Sequence, residues 1–124
     1  MKPIAWSQIN WPSVVLNAAY VWVLALAVAF FGRLFGLDQW RDFVPALTVG
    51  VALVVVWVSY RVALRAGQQP ILHGLLVGLL VAIVGLVLNA LSIGVTVVEI
   101  AGFLMQVLGG LLGGRMAQRR LLGV

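Results

Sequence analysis

Side chains able to do chemistry are few in this 124-residue chain, and they are far apart. The single histidine, His73, lies in Pro70-Ile71-Leu72-His73-Gly74. There a neutral imidazole, beside a glycine that leaves room for a macrocycle, could ligate the metal of a haem or chlorophyll. A lone histidine at a helix start can equally make headgroup or backbone contacts, which need no cofactor. Of the three acids only Glu99 falls inside an apolar stretch. Gln106 shares that stretch, and Asn17 and Asn89 each lie in another. Polar groups in such stretches are costly and are functional candidates for that reason. Glu99, Gln106 and Asn89 could line a path for a proton or cation, with Glu99 accepting a hydrogen bond from Asn89 across a short turn. The plainer alternative makes Glu99 a first-turn acid favoured by the helix dipole. Gln106 is then an interhelical clamp worth roughly 1 kcal/mol.

Catalysis finds little material. The chain holds no Ser-His-Asp set, no paired carboxylates and no HExxH, and one histidine with three acids cannot complete a metal site of usual ligand count. Cysteine is absent, which excludes disulfides, thiolate metal sites and cysteine redox chemistry. The expectation is a non-enzyme with no catalytic residue and no metal.

The elements that would carry these residues follow from composition. The chain is 64% hydrophobic and 9% charged with a mean hydropathy of +1.16, against about 25% charged in soluble domains. A pI near 11.3 would suggest nucleic acid in a soluble protein. Here the basic residues flank apolar runs, where they meet anionic headgroups, so no nucleic-acid partner is expected. A bilayer core about 30 Å thick needs roughly 20 helical residues. Four runs qualify, at 13–31, 44–62, 71–91 and 95–113. The first is too long for a signal-peptide core and reads as a retained helix. The expected fold is all-α: one domain, residues 1–124, of four transmembrane helices in a compact up-down bundle.

Punctuation at the run ends supports this division. Trp6 and Trp11 flank the first run, Asn10 is a candidate cap and Pro12 fits a first turn. Asp38 could cap a short interfacial turn carrying Trp40, after which Pro45 opens the second helix. Gly67 reads as a helix stop and Pro70 as a start. Leu91 to Gly94 is all that separates the last two helices, which makes them antiparallel neighbours.

Charge by side gives the topology. Lys2, Arg61, Arg65, Arg115, Arg119 and Arg120 would share one face with no acid. Arg33 and Arg41 would share the other with Asp38, Asp42 and Glu99. The positive-inside rule then predicts both termini in the cytoplasm. An R-x-A-x-R frame recurs at Arg61–Arg65 and Arg115–Arg119. It reads either as an old hairpin duplication or as two similar cytoplasmic helix ends.

Small residues give the packing signal, because helices in lipid associate through close backbone approach. Gly74, Gly78 and Gly85 lie on the third run; Gly102, Gly109, Gly110, Gly113 and Gly114 on the fourth; Ala18, Ala25 and Gly32 on the first; Ala46 and Gly50 on the second. At 100° per residue Glu99, Gly102, Gln106, Gly110 and Gly113 share about a third of the fourth helix's circumference. That stripe is expected to face protein.

Asn10-Trp11, the segment Leu72-His73-Gly74-Leu75-Leu76-Val77-Gly78-Leu79 and the Gly-Gly-x-x-Gly-Gly-Arg-x-Ala ending of the fourth run resemble small, uncharacterised bacterial four-helix membrane proteins. The resemblance covers most of the chain and implies architecture; no activity comes with it. Small multidrug transporters carry a carboxylate in the first helix, where this chain has Asn17. Dual-topology fluoride channels carry an Asn- and Gly-rich second-helix signature that is absent here. Two functional expectations remain. One is an accessory or structural subunit packing into a larger membrane complex or its own copies, with bound lipid and with or without a pigment on His73. The other is a small homo-oligomeric transporter or channel built on Glu99, Gln106 and Asn89.

Overall fold

The computed structural model describes residues 8–92 and 97–123. Lys2, Trp6 and Gly94, with the expected helix start at 95, lie outside them. The described residues form four α-helices: α1 (Trp11–Leu34), α2 (Phe43–Ala66), α3 (Pro70–Ser92) and α4 (Val97–Leu121), with a 3-10 turn at Leu37–Gln39. All four are long and apolar enough to cross a membrane. They outrun the apolar runs because the polar ends of each run, such as Arg61–Ala66 and Arg115–Leu121, are good helix formers that continue the hydrogen-bond ladder.

Helix ends follow local chemistry. The Asn10 side chain accepts from the Ser13 N–H at 3.3 Å and Pro12 fills a position whose N–H would be orphaned. Gly67 ends α2 in the left-handed conformation (φ 69°), donating to the Ala63 carbonyl, and α3 begins three residues later at Pro70. Two expectations need correction. Asp38 lies within the 3-10 turn rather than capping it; left-handed Gly36 stands at the cap. Pro45 sits inside the first turn of α2, which opens two residues earlier at Phe43 with Asp42 before it.

α4 lies against both α2 and α3, and among the described residues α1 packs on that pair without reaching α4. Close approaches at the glycines fix the directions. α4 is antiparallel to α3, with Gly78 against Gln106 and Gly74 against Gly114; it is parallel to α2, with Gly102 against Thr48 and Gly113 against Ser59. α2 and α4 thus end, and α1 and α3 begin, at the end that carries Arg61, Arg65, Arg115, Arg119 and Arg120.

The bundle is closed at that basic end and loose at the other. Buried apolar side chains are Ile9, Val14, Ala18 and Val21 on and before α1, Val55, Val58, Val62 and Ala63 on α2, Val77, Val81 and Ala82 on α3, and Ala117 on α4. Most lie in the basic half of the bundle, with Val81 and Ala82 at the middle of α3. Small β-branched and alanine side chains let the backbones converge there. In the opposite half the helices diverge around two cavities.

Candidate functional site

The basic half is built on glycine. Gly110 faces α3: a Cβ there would lie 2.9 Å from Gly78 Cα and closer still to the Gly74 carbonyl oxygen. Gly114, one turn on, would meet Ile71 Cα at 2.8 Å. Gly113 faces α2, where a Cβ would come within 2.8 Å of Ser59 Cβ and nearer to the Val56 carbonyl oxygen. Gly109, on the same side, would meet the Ala52 carbonyl oxygen at 3.1 Å. Adjacent glycines point about 100° apart on a helix. The two Gly-Gly pairs therefore give α4 two bare faces at once, one for each neighbour. Gly85 has a different use, since a Cβ there would strike the Trp22 indole at 2.9 Å.

Above this floor the helices part around a cavity of about 330 Å³. Glu99, Gly102, Phe103 and Gln106 of α4 line it, with Asn89 and Gly85 of α3 and Thr48 of α2. Trp22 closes the α1 side, its Nε1–H donating to the Val81 carbonyl at 3.1 Å. The structure thus brings Glu99, Asn89 and Gln106 to one wall system. Gln106 is only 8% exposed, and its Oε1 is buried with no hydrogen-bond partner. Leaving such a group unpaired costs about 1–3 kcal/mol. The expected stripe on α4 divides: Glu99, Gly102 and Gln106 border the cavity, Gly110 turns to α3 and Gly113 to α2.

Asn17 is not brought to this cavity. Its Nδ2 donates to the Ser13 carbonyl one turn back at 2.7 Å, a bond contained within α1. His73 lies at the other end of the bundle and is completely buried. Its Nδ1 pairs with the Gln69 carbonyl at 3.0 Å and its Nε2 accepts the Asn10 N–H at 3.2 Å. One tautomer, with the proton on Nδ1, satisfies both bonds. As placed, neither ring nitrogen is open to a haem or chlorophyll metal. Nearby, the Gln69 side chain donates to Gln8 Oε1 at 3.3 Å. Gln69 itself has a left-handed backbone (φ 47°), an uncommon state for a non-glycine residue. These contacts dock the segment before α1 onto the α2–α3 turn.

A second cavity, about 420 Å³ and almost wholly apolar, lies between α1, α2 and the 3-10 turn, bordered by Leu24, Val28, Trp40, Phe43, Leu47 and Gly50. At its edge the Phe43 ring occupies the space left by Gly32, 2.6 Å from where a Cβ would be. Gly50 meets nothing.

Sequence reasoning missed the Trp22 bond and the Asn10–His73 bond. A tryptophan in mid-helix, away from any interface, was the available signal for the first, since a buried indole N–H seeks a partner. The second joins residues 63 apart to a backbone N–H, and no side-chain pattern announces that.

Among the described residues the fold defines a helical protein whose four helices all have the length and apolarity of membrane spans. No protein-family model, no curated protein and no solved structure matches the chain.

Proposed function

We propose that the chain is a small, non-catalytic integral membrane protein whose work is packing, as an accessory or structural subunit of a larger bacterial membrane complex or in copies of itself. The observation that carries this reading is the glycine-packed floor. α4 meets the backbones of both α2 and α3 at Gly109, Gly110, Gly113 and Gly114, so the polar cavity above is blind. A blind cavity can hold a molecule but offers no path across. The one histidine is spent on a structural tie, which supports a non-catalytic role.

Both termini face the cytoplasm of the inner membrane in this reading. The described basic residues without acidic neighbours, Arg61, Arg65, Arg115, Arg119 and Arg120, gather at one end, and Asp38, Asp42 and Glu99 at the other. Arg61 lies over the Trp57 ring at 4.9 Å, a pairing suited to the headgroup level. Bound lipid fits the apolar cavity beside α1, which has the surface chemistry of an acyl chain.

The competing reading is a small homo-oligomeric transporter or channel, and it draws on Glu99, Asn89 and Gln106 sharing a cavity. It requires α4 to separate from its neighbours at the glycine pairs in each cycle.

Extraction from native membranes in a mild detergent, followed by native mass spectrometry and an absorption spectrum, distinguishes the readings. Larger foreign subunits at fixed stoichiometry support the accessory role, and the spectrum reports any pigment. A colourless homo-oligomer that transports a solute overturns it.

A further inference from the structure

The cavity bounded by Glu99, Asn89, Gln106 and Trp22 has the chemistry of a ligand site. The Gln106 amide is more than nine-tenths buried, its Oε1 has no partner, and its side chain stands on the cavity wall. Glu99 and Asn89 reach the same space from two helices. Most of the remaining lining is apolar, with Phe103 and the Trp22 indole providing aromatic surface. Among the described residues of the lining there is no Lys, Arg or His.

We propose that this cavity binds a small lipophilic amine, its ammonium group toward Glu99, Asn89 and Gln106 and its apolar body against Trp22 and Phe103. A carboxylate flanked by amide oxygens suits an N–H-rich cation in a water-poor site. The aromatic surfaces suit both the body and the charge. The missing basic group selects against carboxylates and phosphates. It also selects against a phosphatidylethanolamine headgroup, whose phosphate would sit unpaired near Glu99. The volume of about 330 Å³ limits the guest to roughly one aromatic ring with a short chain. This inference does not depend on the packing role, since a blind cavity binds whether or not the protein joins a larger complex.

The test uses the full chain in phosphatidylcholine nanodiscs, with empty nanodiscs to measure partitioning. The probes are 2-(4-fluorophenyl)ethylamine, the matching alcohol and 4-fluorophenylacetate, followed by fluorine NMR. Saturable binding of one amine per chain is expected, with the alcohol weaker and the acid not bound. Glu99→Gln weakens the amine by at least about tenfold, the scale of losing one partner of a desolvated charge pair, and leaves the alcohol unchanged. Gly102→Leu, which adds bulk at the cavity wall beside Thr48, abolishes binding of both, while the unchanged alcohol binding of Glu99→Gln shows that this variant still folds. Amine retention equal to that of empty nanodiscs overturns the proposal, because partition into lipid is then the whole effect. Saturable binding that survives both substitutions also overturns it. So does competition by added phosphatidylethanolamine, which would make the occupant a lipid headgroup.

Discussion

Gly78 and Gly110 stand so close that a Cβ added to either would lie 2.9 Å from the other's Cα. Substitution at either therefore forces α3 and α4 apart. Gly110→Leu and Gly78→Leu are expected to destabilise the bundle by about 3 kcal/mol, the upper range of overpacking, with the larger side chain adding to it. Gly50→Leu serves as control because nothing lies within 4 Å of a Cβ there. Denaturant titration in detergent micelles reads the difference, and equal stability of Gly50→Leu and Gly110→Leu contradicts this packing.

His73 ties the segment before α1 to the start of α3 through Nε2, while its Nδ1 is held by the Gln69 carbonyl one turn back. His73→Ala removes a buried side chain and leaves the Asn10 N–H unpaired, at a combined cost of about 2–4 kcal/mol. The Asn10 amide should exchange with solvent much faster in the variant, as hydrogen exchange would record. A visible absorption band in the purified protein that His73→Ala abolishes would show that the imidazole holds a pigment.

Trp22 joins α1 to α3 by one hydrogen bond at the α1 wall of the cavity. Trp22→Phe keeps most of the apolar contact and loses the bond to Val81, an expected cost of about 1 kcal/mol. Gly85→Ala pushes into the same indole and should shift the Trp22 side-chain NH resonance. An unmoved resonance would place the ring elsewhere.

Orientation can be read with single cysteines, because the chain has none of its own. In intact cells Gln39→Cys, in the 3-10 turn, is expected to react with an impermeant maleimide from outside. Gln68→Cys and Arg120→Cys should react only after the membrane is opened. Labelling of Gln68→Cys in intact cells reverses the topology.

Architecture was legible because it depends on coarse quantities. Apolar run length and charge segregation give four helices with most of their basic residues at one end, and Asn10, Gly67 and Pro70 mark helix boundaries by local chemistry. The site was legible only in part. A helical wheel put Glu99, Gln106, Gly110 and Gly113 on one stripe, but it could not divide that stripe among two neighbours and a cavity. That division depends on where helices converge and diverge, and convergence rests on backbone approach at Gly109, Gly110, Gly113 and Gly114, which a wheel of one helix does not represent. His73 was ambiguous for a related reason. Its role depends on a backbone N–H brought from residue 10, and sequence spacing carries no trace of such a contact.

The closed basic half is most directly tested at Ser59, which is completely buried against α4 beside Gly113. Ser59→Cys is nearly isosteric, and its thiol reports whether water ever reaches that depth. In proteoliposomes of single-cysteine variants, a charged methanethiosulfonate applied to either side should modify Gln39→Cys readily and leave Ser59→Cys unmodified from both sides. Modification of Ser59→Cys at a rate comparable to Gln39→Cys would mean that the glycine floor opens, and a conducting or transporting protein would take the place of a packing one.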